Sequence, residues 1–123
     1  MLREWRGVRQ RPEEGKRRWF TDEDMDLIVW YSSEDTIRGF QLCYGKLGDQ
    51  HAVTWFSDGM YTHAKVDDGE SGRESGTKQT PILVQDGVFD ARAVAQEFKR
   101  ESVQVDPEIR RLVYDRLRRY PSR

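Results

Sequence analysis

Leu27-Ile28-Val29-Trp30-Tyr31 and Phe40-Gln41-Leu42-Cys43-Tyr44 are two aromatic and β-branched runs whose facing ends lie nine residues apart. Such runs suit the half-buried surface of a pleated strand. The Ser33-Glu34-Asp35-Thr36 stretch between them has turn chemistry. The reading is therefore a pair of neighbouring antiparallel strands, about Asp26 to Ser32 and Ile37 to Tyr44.

Side chains alternate across a strand. Ile28 and Trp30 fall on one face of the first strand, with Leu27, Val29 and Tyr31 on the other. In the second, Phe40, Leu42 and Tyr44 oppose Ile37, Gly39, Gln41 and Cys43. Both faces of the first strand are apolar, which is more than a sheet with one solvated face needs. A second covering is expected: an N-terminal arm bearing Trp5, Trp19 and Phe20, a second protomer, or a ligand.

The period-two pattern continues C-terminally. Gly45-Lys46-Leu47-Gly48-Asp49 reads as a loop, followed by a strand from His51 to Phe56. Ser57-Asp58-Gly59 is a tight turn, since Asp-Gly suits positions of positive φ, and Met60 to Val66 is the returning strand. Pairing around that turn sets Thr54 beside Thr62, Val53 beside His63 and His51 beside Lys65. Residues 67–79 contain three glycines and no apolar side chain, the composition of a mobile surface loop. Thr80-Pro81-Ile82-Leu83-Val84 is a short apolar segment whose proline suits a strand edge or start.

Two helices close the chain. Asp90 is placed to cap a helix from Ala91 to about Ser102, with Val94, Ala95 and Phe98 on one stripe. Asp106-Pro107-Glu108 combines an N-cap aspartate, a first-position proline and an acid in the first turn. Ile109, Leu112, Val113, Leu117 and Tyr120 follow at helical spacing, and Pro121 ends the run. The expected fold is α+β: a four- to five-stranded, mainly antiparallel meander sheet followed by two C-terminal helices packed on one face. The organisation read from the chain is a basic N-terminal arm over residues 1–18 and a single domain over 19–123.

Composition bounds the rest. The chain has 123 residues, 36% of them hydrophobic and 35% charged, so the core is modest and the surface ionic. Net charge is −1 but segregated: residues 1–20 sum to +4, residues 21–77 to −8 and residues 78–123 to +3. The single cysteine, Cys43, excludes an internal disulfide and sits inside an apolar strand rather than in an activating environment. Neither a signal-type apolar segment nor a membrane-length apolar run occurs, and the expected location is cytoplasmic, without a membrane partner.

No motif carries catalysis, a metal or a cofactor. The acidic run Asp22-Glu23-Asp24-Met25-Asp26 lacks the glycine and glutamate of an EF-hand loop, whose positions hold Leu27 and Ser33. His51 and His63 approach each other across the Asp58-Gly59 hairpin but have no HxH or HxxxH spacing, and structural roles are the commoner reading. Arg38-Gly39-Phe40 echoes the opening of an RNA-recognition strand, yet no helix separates the first two strands as that module requires.

The strings Arg17-Arg18-Trp19-Phe20, Asp26-Leu27-Ile28-Val29-Trp30-Tyr31, Gly39-Phe40-Gln41-Leu42-Cys43-Tyr44 and Thr80-Pro81-Ile82-Leu83-Val84-Gln85-Asp86-Gly87 together resemble a family of short bacterial proteins of unassigned function. The likeness runs over roughly residues 17–120 and implies a stand-alone cytosolic protein. It brings no catalytic residues with it.

The first functional expectation is a non-enzymatic binding or protein-interaction domain whose partner is another protein or a second copy in a homodimer. The second is a small-molecule ligand carrier or small enzyme with a pocket near Trp30, Trp55, Tyr61 and His63. The third is nucleic-acid contact through the arm, by Arg3, Arg6, Arg9, Arg11, Arg17 and Arg18. In that third reading the acidic middle of the chain argues against phosphate near the sheet.

Overall fold

The computed structural model describes residues 1–7, 16–67, 82–85 and 89–121. Among the described residues seven strands form one antiparallel sheet in strict sequence order: β1 (Arg3–Trp5), β2 (Arg17–Thr21), β3 (Asp26–Tyr31), β4 (Ile37–Tyr44), β5 (His51–Phe56), β6 (Tyr61–Asp67) and β7 (Ile82–Gln85). Two helices follow, α1 (Ala91–Glu101) and α2 (Pro107–Arg118). The α+β class and the two C-terminal helices are as expected; the sheet is larger than four or five strands.

The additional strands lie at the N-terminal end. Arg3–Trp5 pairs with Trp19–Thr21, and Arg17–Thr21 pairs with Asp26–Trp30. Trp5 and Trp19 therefore do not lie over the sheet as a second layer, as one reading of the arm held. They belong to it. Phe20 points to the opposite side from Trp19 and is 1% exposed in the core.

Local chemistry places each element. The Asp22 carboxylate accepts from the amides of Asp24 and Met25, so the acidic run makes a turn. Gly59 takes φ +94° in the β5–β6 turn, and Thr54↔Thr62, Val53↔His63 and His51↔Lys65 are in register as the hairpin predicts. Asp90 caps α1 by accepting from the Ala93 amide, and Asp106 caps α2 through the Glu108 amide with Pro107 at its start.

The core lies between one sheet face and the helices. Leu27, Val29, Phe40, Leu42 and Val53 meet Val94, Ala95, Phe98, Ile109, Val113 and Leu117, all buried. Arg18 closes the end of this layer. Its Nε and Nη2 donate to Glu4 at 2.9 and 2.8 Å, and its Nη1 donates to Asp106 at 3.3 Å. That fork of charge-assisted bonds joins β1 and β2 to the cap of α2. Ile82–Gln85 supplies β7 and Asp67 ends β6; the rest of the loop expected over 67–79 lies outside the described residues.

Candidate functional site

The sheet presents two chemically different faces. On the covered face, the rings toward β6 form a closed cluster. His63 is 1% exposed, and its Nε2 lies 2.6 Å from the Tyr44 hydroxyl. The His51 ring is parallel to it at 5.2 Å between centroids, and Phe89 stacks on it at 4.4 Å. Tyr120 meets Phe89 edge-on at 4.6 Å. The two histidines do come together, but as members of a ring stack. Among the described residues no group of three His, Cys, Asp or Glu side chains could hold a metal ion.

Tyr61 and Trp55 belong to the same covered layer. The Tyr61 hydroxyl donates to the Arg116 carbonyl at 2.9 Å, and burial pushes its phenol pKa up. The Arg116 guanidinium lies 5.1 Å over the Trp55 ring, whose exposure is 7%. The structure thus gathers Trp55, Tyr61 and His63 under the helices and separates Trp30 from them.

Trp30 lies on the outer face. Its cross-strand neighbours are Arg17 on β2 and Gly39 on β4, and Gly39 in turn faces Phe56 on β5. Gly39 is what lets the rings meet. A Cβ there would come within 2.7 Å of the Trp55 carbonyl and 2.9 Å of the Phe56 ring. With only hydrogen at that point, Trp30 and Phe56 lie near-parallel, at 12° and 5.8 Å between centroids. In the adjacent row, Trp5 meets Trp19 edge-on at 5.6 Å, and Trp19 pairs with Ile28. Trp5 is 52% exposed; Trp19, Ile28, Trp30 and Phe56 are half-buried. Sequence reasoning missed Trp19 and Phe56 as members of one surface. The alternation of Arg17-Arg18-Trp19-Phe20-Thr21 carries that signal, though its arginines resemble an arm.

The arginines of the N-terminal segment divide by face. Arg3 and Arg17 alternate with Glu4 and Arg18, and so share the outer face with Trp5 and Trp19. Arg6 is exposed in the turn after β1. Arg18 is taken up by Glu4 and Asp106 on the covered side, and its guanidinium, hydrogen-bonded to Glu4, holds that carboxyl below the usual carboxylate range. Arg9 and Arg11 lie outside the described residues.

Other groups have local explanations. Burial pushes the Cys43 thiol up, the opposite direction from an activated nucleophile. A carboxyl–carboxyl hydrogen bond with Asp24, reinforced by burial, raises Glu97 to about 7. A groove of about 500 Å³ runs between α2 and the β3–β4 turn, with Ile37, Trp55 and Leu112 as its apolar lining and Asp35, Glu108, Arg111 and Asp115 among its charged groups. None of the described helices is long and apolar enough to cross a membrane.

Against this geometry, comparison with protein-family models, curated proteins and solved structures finds no match to the chain.

Proposed function

We propose that this protein is a non-enzymatic binding domain that works through the outer face of its sheet. One observation carries the reading. Trp5, Trp19, Ile28, Trp30 and Phe56 form a continuous apolar surface over β1, β2, β3 and β5, opposite the face that the helices fill. A solvated antiparallel face normally carries polar side chains at such positions, and contiguous exposed apolar area marks interaction sites. The covered face offers a ligand less. Its histidines are engaged by Tyr44 and Phe89.

The second reading is a small-molecule site in the groove between α2 and the β3–β4 turn, favoured by its volume of about 500 Å³ and the Trp55 indole in its lining. The two readings separate on the four tryptophan indole N–H resonances. Titration with 8-anilinonaphthalene-1-sulfonate, a flat anionic probe, is expected to shift the indole signals of Trp5, Trp19 and Trp30 and leave that of Trp55 in place. Shifts confined to Trp55 would sink the outer-face reading and support the groove.

A further inference from the structure

We infer that the partner of the outer face is single-stranded nucleic acid, bound by stacking on the ring surface with arginines at its margin. The inference rests on the outer-face reading above and assigns its partner class.

The rings and the cations lie on one side. Arg17 is the direct cross-strand neighbour of Trp30, and Arg3 is two residues from Trp5 on the same face of β1. From Trp5 on β1 to Phe56 on β5 the surface crosses four inter-strand steps, roughly 19 Å at the usual strand spacing. A few unstacked bases fit that span. Trp30 and Phe56, parallel to within 12°, supply a planar pair at its far end, held against a glycine backbone. Aromatic surfaces flanked by cations hold single strands without needing a particular base, because every base has a π-face.

The net charge of −8 over residues 21–77 looks, in the sequence, like a barrier to phosphate. Among the described residues, folding puts most of it at the strand ends. Asp22, Glu23 and Asp24 fall in the β2–β3 turn, Glu34 and Asp35 in the β3–β4 turn, Asp49 before β5 and Asp58 in the β5–β6 turn. Within the strands between β1 and β5, Asp26 is the acid on the outer face, and Lys46 lies 3.0 Å from it. Asp35, at the end nearest Trp30, faces Lys16 at 3.5 Å. Arg3 and Arg17 thus stand beside the rings on the same face, the Asp26 and Asp35 carboxylates each face a lysine, and Glu34 and Asp58 stay in the turns at the Trp30–Phe56 end.

The same charges argue against a second copy as the occupant. Two such faces in contact would bring two sets of Arg3 and Arg17 into one interface, adding like-charge repulsion that a single strand of nucleic acid does not meet. A double helix is also a poorer fit, since its base faces are already stacked and, among the described residues, no helix or ribbon projects from this sheet to enter a groove.

The test uses the full chain and a fluorescein-labelled oligothymidylate, followed by anisotropy and by tryptophan quenching at 50 mM salt. Binding with quenching is expected, weaker for a duplex of equal length, with a log–log salt slope of about −1 to −2 for two or three phosphate contacts. Trp30→Ala and Trp19→Ala should each weaken binding roughly tenfold. Arg3→Ala, an exposed site that leaves the fold alone, should reduce the slope by about 0.7. Absence of binding by folded wild-type protein would overturn the inference, as would affinity indifferent to both tryptophan replacements. If the sulfonate probe still maps to Trp5, Trp19 and Trp30, the outer-face reading survives that failure. A concentration-dependent dimer abolished by Trp30→Ala would also overturn the nucleic-acid assignment and return the face to self-association.

Discussion

The two faces of this sheet use the same aromatic vocabulary for opposite ends. On the covered face, Phe40, Val53 and Leu42 are sealed by α1 and α2, and even the polar rings of His63 and Tyr61 find partners there. On the outer face, Trp19, Trp30 and Phe56 lie against the sheet without full burial, and Trp5 is mostly exposed. Aromatic content alone therefore says little about function. Among the described residues, what distinguishes the faces is whether a second layer closes over the rings, and which charges stand beside them.

Stability measurements can break or sharpen this contrast. The largest effect is expected on the covered side, where Phe40→Ala should cost about 3–5 kcal/mol in urea unfolding, because the site is fully buried between sheet and helices. Between the faces lies Gly39. Gly39→Ala should cost about 1–3 kcal/mol, since the new Cβ meets the Trp55 carbonyl on the backbone and also the Phe56 ring. Trp30→Ala should cost only about 1 kcal/mol, the scale of an aromatic pair on a partly exposed surface. A Trp30→Ala loss as large as that of Phe40→Ala would mean that the outer rings are core, and the distinction would fail.

The smallest expected effect is a pH dependence at the rim of the covered layer. The Glu97 carboxyl shares a hydrogen bond with Asp24 and titrates at about 7 in the folded chain, above the 4.5 of a free glutamate. The folded state thus holds a proton that the unfolded state has already lost. This contribution is complete below about pH 4.5 and drains away as pH rises through about 7. Melting curves between pH 5 and pH 8 should show Tm falling with pH from this source, and Glu97→Gln should flatten that slope. A slope unchanged by Glu97→Gln would show that Glu97 does not carry this pH dependence.

Much of this architecture is legible in the residues. The alternation in 26–66 assigns the correct face to Leu27, Val29, Phe40, Leu42 and Val53, and the Asp-Gly turn fixes the register that sets His63 opposite Val53. Asp90 and Asp106-Pro107 mark both helix starts. The sheet's N-terminal side was hidden for two reasons. Three residues of β1 are too few to display a period, and Arg17 and Arg18 look alike in sequence although one borders Trp30 and the other is clasped by Glu4. The outer surface is harder still to foresee. It depends on Gly39 bringing together Trp30 and Phe56, which are 26 positions apart in the chain.

The strand order also has a consequence for how the chain reaches its native state. In a sheet whose neighbours in space are all neighbours in sequence, each hairpin can zip onto the last with little loop entropy to overcome. The bond from Arg18 to Asp106 is different in kind, because it spans 88 residues. It can form only after the strands have zipped and α2 has docked. Arg18 should therefore act late on the folding coordinate, as a latch rather than a nucleus. Its removal would leave the refolding rate almost unchanged and express itself in faster unfolding.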